Sequence, residues 1–443
     1  MMQRQIFCAT LAVCAGSTFA LPSFAAPAKA VPTPSVRRIT VPTPIDPTPA
    51  ALRDTLAHAA FAFFWNETDP RTGLTKDRAK NRADEGPDKY IVASVASTGY
   101  ALAALPIGVE RGWVSKKDAE KRALTTLRWF RDRQPHEHGF YYHFVHWKTG
   151  AREWNSELSS IDSGLFLLGA ITAGQYFGGE ARKIADALYA RSDWQWMRDG
   201  VAATQPKEPK PLTLSMGWNP ERGFLEGRWM GYEDPYLYLL ALGAPKYALG
   251  PASWTARAVK PGKFEGFDVL GTPSPIFWAQ MTPGYFNQRG MKDAQGYDWW
   301  EHYYNAHRGH VAFSKRHPEL YPNNIWGVNA SDQPTGYSGE DPVDGKVSGT
   351  ITPTGIVAGY LFVPEDSETA MLSLWKNYRD KSWGKYGFGN ALNVPKNWYD
   401  GDVIGIDLGM MLLCLENQRT GLIWKLTAAH PMTAKAYKAA GFR

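Results

Sequence analysis

The sequence predicts an all-α fold arranged as an (α/α)6 toroid, a closed ring of paired helices. Apolar residues recur at helical spacing in about a dozen segments, without sustained β-alternation. No Pro- or Gly-rich linker divides residues 50–443, and no sequence period suggests a solenoid. A single domain built from this many helices has few other architectures. The loops between its helices are where we expect a functional site.

The N-terminal segment is predicted to be a cleavable signal peptide over residues 1–25. Arg4 supplies a positive charge, residues 6–21 are apolar, and small residues precede the cleavage point. A lipoprotein signal ending at Cys14 is the alternative, but the preceding Val13 is too bulky for it. The pattern therefore predicts export, to the periplasm or the outside of the cell.

Residues 26–49 contain seven prolines and are predicted to be a tether without a core of its own. The folded domain is expected over residues 50–443, with Thr48 as the first helix N-cap. Of the three cysteines only Cys414 lies beyond the signal peptide, which excludes an intrachain disulfide in the mature chain.

The helices are predicted in chain order from apolar periodicity and from Ser or Thr at their starts. Ser115 is expected to cap the third helix, and Ser159 or Ser160 the fourth. The predicted ranges are 52–65, 91–112, 116–133, 160–177, 181–197, 232–242, 298–315, 353–361, 367–378, 406–416, 422–428 and 434–440.

Composition excludes several classes of function. The net charge of +6 comes without a run of Lys or Arg, which argues against nucleic acid as a partner. No apolar stretch beyond the signal peptide is long enough to span a membrane. The sequence has no nucleophile elbow, Walker loop or dinucleotide fingerprint. The histidine pairs 136/138 and 143/146 are weak metal signals, so no metal or organic cofactor is implied.

Carboxylates set among aromatic residues and glycines are a better indication of a functional site than the histidine pairs. Aromatic residues make up 13% of the chain, and flat rings suit both a large core and the faces of sugars. Five acidic groups stand out: Asp77 with Arg78; Glu157 and Asp162 beside Trp154; Glu233 and Asp234 after Trp218 and Tyr232; Asp332 before Tyr337; and Asp407.

Each group also has a structural interpretation. Asp77 and Arg78 could form a local ion pair, and acids at helix starts are favoured by the helix dipole. Glu233 and Asp234 open one helix, so at most one should face a cleft while the other caps the helix. Asp407 is an isolated acid in an apolar run, which is unfavourable unless it is paired or lines a wet cavity. Carboxylates in an aromatic cleft are what glycoside hydrolysis requires.

The order and spacing of several motifs resemble bacterial glycoamylase-like proteins, which include glycoside hydrolase family 144, the β-1,2-glucanases. The resemblance spans residues 52–430. Its landmarks are Phe64-Trp65-Asn66-Glu67, Asp77-Arg78, Ser156-Glu157, Ile161-Asp162, Gly217-Trp218, Trp229-x-Gly231-Tyr232, Trp326-Gly327, Ala330-Ser331-Asp332 and Gly405-Ile406-Asp407.

The resemblance implies an (α/α)6 toroid and cleavage of β-1,2-glucan, with inversion. Carried over residue by residue, it implies that Asp234, Glu157, Asp162 and Asp407 line the cleft. The sequence departs from the family where Tyr-Asn-Glu-Ala is usual and Tyr232-Glu233-Asp234-Pro235 stands here. Either Asp234 replaces the glutamate or Glu233 takes its place.

The leading hypothesis is an exported glycoside hydrolase acting on an oligo- or polysaccharide, preferably β-1,2-glucan. The acid is assigned to Glu233 or Asp234 and the base to Asp407, with Glu157 in reserve. The residues assigned to sugar binding are Asp77, Arg78, Trp154, Asp162, Trp218, Tyr232, Asp332 and Tyr337. The alternatives are a non-catalytic periplasmic glycan-binding protein, motivated by the altered acid segment, or a hydrolase or lyase for another polysaccharide.

Overall fold

Helices make up about half of the described residues, and short strands lie in the connections between them. The computed structural model describes residues 37–205, 207 and 211–443. The predicted signal peptide and most of the Pro-rich tether lie outside these residues. The described chain belongs to one compact unit, Ser35–Arg443.

The described residues form fifteen α-helices and two short 3-10 helices, Ala83–Glu85 and Gly359–Leu361. The α-helices, α1 to α15 in chain order, are Pro49–Asn66, Val95–Glu110, Lys116–Asp132, Ser160–Phe177, Gly179–Arg191, Trp194–Thr204, Pro235–Gly243, Ala252–Thr255, Trp278–Tyr285, Trp299–Arg316, Pro353–Ala358, Pro364–Ser382, Gly405–Thr420, Leu422–Ala429 and Pro431–Ala440.

Eighteen short strands lie in the connections between these helices. In chain order, β1 to β18 are Arg78–Lys80, Val92–Ser94, His136–Glu137, Phe140–Tyr142, Phe144–His146, Leu158–Ser159, Gly217–Asn219, Gly223–Phe224, Pro261–Phe264, Phe267–Leu270, Ala330–Ser331, Ser338–Gly339, Thr350–Ile351, Trp383–Gly384, Gly387–Phe388, Leu392–Asn393, Trp398–Tyr399 and Asp402–Ile404. The largest sheet has the antiparallel order β3-β4-β6-β7-β8.

The predicted N-caps are confirmed. Thr48, Ser115 and Ser159 each accept a hydrogen bond from a backbone N–H in the first turn of the following helix. These bonds satisfy amide groups that the helix itself leaves without partners. The prediction for α4, residues 160–177, agrees with the structure at both ends.

Some predicted elements differ from the structure for local reasons. The predicted helix 181–197 is two helices, because Asp193 caps a new start at Trp194 through the N–H of Trp196. The predicted start at 91 moves to Val95, because residues Val92–Ser94 pair with β5. Helix α9 was not predicted. The short strands were not predicted either, because strands of two to four residues are too short to show alternation.

The helices fall into buried and amphipathic classes. Every residue of α7 and α11 is buried, as are all but the ends of α2 and α4. Helix α3 instead buries one stripe, which includes Ala119, Ala123 and Leu127, and turns charged residues outward. Helix α13 packs against α1, α2, α9 and α11 and lies near the centre of the core.

The chain joins the folded unit before the predicted boundary at residue 50. Arg38 pairs with Glu67 at 2.8 Å, and the Ile39 backbone exchanges two hydrogen bonds with the Asn66 side chain. Ile39 and Val41 pack on the core. The last part of the Pro-rich segment is therefore docked on the domain.

None of the helices in the described residues is both long and apolar enough to cross a membrane.

Candidate active site

A cavity of about 550 Å³ opens where helix starts and connecting loops converge. Its size falls within the range of ligand sites. Apolar and aromatic side chains such as Phe144, Trp229 and Phe277 form part of its wall. Eight of the predicted site residues line it: Asp77, Arg78, Trp154, Glu157, Asp162, Glu233, Tyr337 and Asp407.

Asp162 is held in the first turn of α4 by the helix cap. The Ser159 hydroxyl accepts a hydrogen bond from the N–H of Asp162 and donates one to its Oδ2 at 2.5 Å. Strand β6, which ends at Ser159, is paired with β4 and β7 on either side. The sheet therefore sets where α4 begins and presents Asp162 to the cavity.

His143, which sequence reasoning did not select, bridges two of the acids. Its Nδ1 lies 3.0 Å from Glu157 Oε1 and its Nε2 3.6 Å from Asp162 Oδ2. Burial alone would lower the pKa of His143, but Asp162, Glu157 and Asp77 raise it to about 9. Burial likewise opposes the ionised form of Glu157, but the hydrogen bond and charge of His143 leave the pKa of Glu157 lowered.

Glu233 lines the cavity just before α7. Burial, together with the charges of Asp162 and Asp234, raises the pKa of Glu233 to about 8, against a hydrogen bond from Trp278. A carboxyl with this pKa holds its proton at neutral pH and can donate it.

Asp234, the other candidate for the acid, is placed elsewhere. It is the N-cap residue of α7, and its side chain is only 1% exposed. Its Oδ2 accepts the Gly231 N–H at 2.6 Å, and its Oδ1 lies 3.4 Å from Nη1 of Arg257. The Asp234 carboxylate is therefore turned into a buried ion pair, and Asp234, unlike Glu233, does not line the cavity.

Asp407 lies in the first turn of α13. It is the last of the cavity-lining acids along the chain. Asn390 donates a hydrogen bond from Nδ2 to Asp407 Oδ2 at 2.5 Å. Burial is the largest cause that raises the pKa of Asp407, to about 7, and the negative charges of Asp332 and Asp77 add to it. Asn390 was not predicted, and its Oδ1 also accepts the Asp332 N–H at 3.2 Å.

Arg78 links the cavity to a second group of acids. Its guanidinium lies 3.3 Å from Asp77 Oδ2 and 2.7 Å from Asp332 Oδ2, so the predicted Asp77–Arg78 ion pair exists. Asp332 is behind Arg78 and outside the cavity lining, since its carboxylate is turned to that guanidinium.

Within the described part of the chain, one group of acids brings carboxylate oxygens close enough to share a cation. Oxygens of Asp332, Asp400 and Asp402 lie within 4.8 Å of one another. Arg78 and Lys80 bring positive charge to this group, with Lys80 Nζ 3.1 Å from Asp402 Oδ1.

The predicted aromatic residues divide into rim and packing positions. Trp154 is 65% exposed and Tyr337 59% exposed, and both line the cavity, as expected for rings at a sugar-binding rim. Trp218 lies outside the lining and packs on Trp196, with ring centroids 6.0 Å apart. Tyr232 is also outside it and stacks on Trp278 at 6.3 Å.

Comparison with known proteins adds to this geometry. Residues 227–431 match the model of the Glycoamylase family, described as "Putative glucoamylase". Over 427 residues the chain is 25% identical to the exo β-1,2-glucooligosaccharide sophorohydrolase (non-reducing end) of Parabacteroides distasonis. The match covers 87% of this chain but 57% of that protein, so the chain spans less than two thirds of its curated relative.

Solved structures share the fold. The endo-β-1,2-glucanase of Chitinophaga pinensis, in complex with sophorotriose and glucose, superposes with a TM-score of 0.81 at 24% identity. The alignment covers 89% of this chain and 99% of that one. A "putative glucoamylase" from Bacteroides fragilis has a TM-score of 0.81 at 26% identity, covering 90% and 99%. Part of the chain thus matches the Glycoamylase model, and the chain is similar in sequence to a sophorohydrolase and in fold to an endo-β-1,2-glucanase.

Proposed function

We propose that this protein is a glycoside hydrolase that cleaves β-1,2-glucan by an inverting mechanism. The observation that carries the proposal is the pair Glu233 and Asp407, a half-buried and a buried carboxyl that line one cavity with raised pKa values. The linkage comes from the relatives, whose names specify β-1,2-linked glucose.

Glu233 is the general acid and Asp407 the general base in this mechanism. Glu233, with its pKa raised to about 8, gives its proton to the leaving glycosidic oxygen. Asp407, held by Asn390, takes a proton from water as that water attacks the anomeric carbon from the opposite face. Because its pKa is about 7, Asp407 is ionised in enough molecules near neutral pH to act as a base. Glu157 remains the reserve candidate for the base.

The other lining residues would bind the sugar. Carboxylate and guanidinium groups of Asp77, Arg78 and Asp162 suit hydroxyl groups on adjacent carbons. The exposed rings of Trp154 and Tyr337 would cover the faces of sugar units at the rim.

The finer architecture that we propose is the (α/α)6 toroid. Six helices would form the inner ring and present their starts to the cavity: α2, α4, α7, α9, α11 and α13. Contacts between α2 and α4, α4 and α7, α7 and α9, and α13 and α2 support this order. Amphipathic helices such as α3 and α10 would form the outer ring.

We also propose export by cleavage after residue 25, into the periplasm or beyond. Expression of the full chain in a Gram-negative host, followed by fractionation and N-terminal sequencing, tests it. A mature protein starting at residue 26 in the periplasm or medium is expected, and an uncleaved protein in the cytoplasm would contradict the proposal.

Incubation with a panel of glucans tests the activity. Linear β-1,2-glucan and sophoro-oligosaccharides should yield new reducing ends, while β-1,3- and β-1,4-glucans should not. NMR of the first product formed should show the α anomer, the outcome of inversion from a β linkage. Binding without cleavage would favour a glycan-binding protein instead, and unsaturated products that absorb ultraviolet light would favour a lyase.

Two conservative variants test the residue assignments. Glu233→Gln and Asp407→Asn should each lower kcat by about 100-fold or more, because each removes one proton-transfer group. Both variants should keep the wild-type circular dichroism spectrum. Glu319→Gln and Asp268→Asn, which alter exposed acids, serve as matched controls.

A further inference from the structure

His143 is clamped by its backbone as well as by its ring. Its N–H donates to the Glu157 carbonyl at 2.8 Å, and its own carbonyl accepts the Val95 N–H at 3.1 Å. The Phe144 ring stacks on the imidazole, with centroids 3.8 Å apart and an interplanar angle of 16°. The imidazole therefore has little freedom to turn between Glu157 and Asp162.

The charges around the ring are mostly negative. Glu157 faces it from the loop before β6, Asp162 from the first turn of α4, and Asp77 from the segment before β1. The guanidinium of Arg78, next to Asp77, already pairs with Asp77 and Asp332. Three carboxylates thus face the ring, and the arginines near them, Arg78 and Arg152, are each paired with other acids as well.

We propose that His143 is a positioning residue, an imidazolium that holds Glu157 and Asp162 in one ionised arrangement on the cavity wall. The role rests on the proposed hydrolase function, because these two acids matter through the substrate that they face. Opposite charges within 4 to 6 Å typically shift a carboxyl pKa by about 1 to 3 units. The separations of 3.0 and 3.6 Å are shorter than this distance limit.

The influence of His143 extends to Glu233 through Asp162. The charge of Asp162 is, after burial, the next cause of the raised pKa of Glu233. His143 holds the Asp162 carboxylate in place, so its charge stays where it acts on Glu233. The positive charge of His143 therefore helps to keep the Glu233 carboxyl protonated.

Replacement of His143 by a neutral amide tests this role. His143→Asn keeps a donor near the Nδ1 position and His143→Gln keeps one near Nε2, but both remove the charge. We expect kcat/KM to fall at least 10-fold in both variants. The pKa of the Glu157 carboxyl, followed by carbon-13 NMR, should rise by about 1 to 3 units in both variants, because a carboxylate without its cation takes up a proton more easily.

His138 offers a matched control on the same hairpin. It lies outside the cavity lining, stacks on Trp196 at 4.3 Å and faces Asp193 at 3.5 Å. His138→Asn should leave the titration of Glu157 as it is in the wild-type protein. A lower rate with an unmoved Glu157 titration in the His143 variants would indicate a merely structural role and overturn the proposal.

NMR titration of the imidazole separates this inference from the hydrolase function. In the wild-type protein the His143 ring, assigned by its contacts with Phe144, should remain protonated to pH 8 or above. Glu157→Gln should lower that titration by at least one pH unit. If the His143 imidazole titrates near its ordinary pKa of 6.5, the proposed role of His143 is overturned, even in a protein that cleaves glucan. If the ring is still protonated at pH 8 but the protein cleaves no glucan, the proposed hydrolase function is refuted. The proposed pairing of the His143 imidazolium with Glu157 and Asp162 is then retained.

Discussion

Adjacent residues of like chemistry can have unlike roles, as Glu233 and Asp234 demonstrate. The Glu233 side chain reaches the cavity, while Asp234 turns back to the Gly231 N–H and to Arg257. Burial raises the pKa of both, but Asp234 has the guanidinium and the amide to stabilise its charge. Environment, rather than residue type, separates the proposed proton donor Glu233 from the N-cap residue Asp234.

The first prediction concerns the pH dependence of hydrolysis. The profile of kcat/KM should be bell-shaped. Activity is lost below pH about 7 as Asp407 takes up a proton, and above pH about 8 as Glu233 loses one. Initial rates on sophoro-oligosaccharides between pH 5 and 10 check this, and a flat profile across pH 7 to 8 with a fall below pH 5 would contradict it.

The second prediction concerns the ion pair of Asp234 with Arg257. Both side chains are 1% exposed, and the guanidinium stacks on Trp254 at 3.7 Å. Asp234→Ala leaves a buried cation without its partner, so the free energy of unfolding should fall by about 3 to 5 kcal/mol. Urea denaturation measures it. The exposed pair Lys263–Asp268 is the control, since Lys263→Ala should change stability by less than about 1 kcal/mol.

At the scale of elements, the acids of the site share one placement. Asp162 and Asp407 lie in the first turns of α4 and α13, and Glu233 immediately precedes α7. The partial positive charge at helix starts favours carboxylates there. The sheet formed by β4, β6 and β7 and the pair of β1 with β18 bring these starts together.

The third prediction concerns the contact between α2 and α4, which cross at Gly99 and Gly169. A Cβ at Gly99 would lie 2.5 Å from the Leu165 carbonyl oxygen, and one at Gly169 would lie 1.9 Å from the Gly99 carbonyl oxygen. Gly99→Ala must therefore push the helices apart, at about 1 to 3 kcal/mol of stability. It should also reduce activity, because α4 carries Asp162.

Denaturation and glucan hydrolysis, measured on the same preparation, check this prediction. Gly250→Ala is the matched control, since a Cβ there meets nothing within 4 Å. Wild-type stability in Gly99→Ala would show that the crossing tolerates a methyl group.

At the scale of the whole molecule, the site holds protons that the unfolded chain releases. The pKa values of Asp407, Glu233 and His143 are raised to about 7, 8 and 9 in the folded protein. Their ordinary values are about 3.9, 4.3 and 6.5. The native state therefore binds more protons than the unfolded state in these windows. The stability from each group is complete below its ordinary pKa and is lost as the pH rises through the raised value.

The fourth prediction follows from this linkage. The free energy of unfolding should fall as the pH rises from about 6.5 to 9. Glu233→Gln removes the titrating group at position 233, so its decline should be shallower, and it should exceed wild type in stability at pH 9. Urea denaturation at pH 6, 7.5 and 9 checks it, and parallel curves for the two proteins would refute it.

Buried histidines affect the free energy of unfolding in the opposite sense at acidic pH. Burial lowers the pKa of His302, His307 and His310 on α10, to about 3, 3 and 4. Their contribution is complete above pH about 6.5 and is lost as the pH falls through the lowered values. Between pH about 4 and 6.5 this loss opposes the effect of the raised carboxyls.

Local patterns in the sequence predicted what depends on neighbours along the chain. Thr48, Ser115 and Ser159 are N-caps, the range of α4 agrees, and Asp162 lies in its first turn. A cap bonds to amides two or three residues away, so the signal and its effect lie in one short segment. Where a local signal was missed, as at Asp193, one predicted helix became two.

The acidic and aromatic composition and the buried acid Asp407 were readable from the sequence alone. Contacts between distant segments were not: His143 meets Asp162 across a loop, Asn390 donates to Asp407, and Arg78 reaches Asp332. The choice between Glu233 and Asp234 also depended on Arg257, more than twenty residues away. Local propensity acts through the backbone of a few residues, whereas charge and burial act through space, so only the tertiary structure decided which carboxyl faces the cavity.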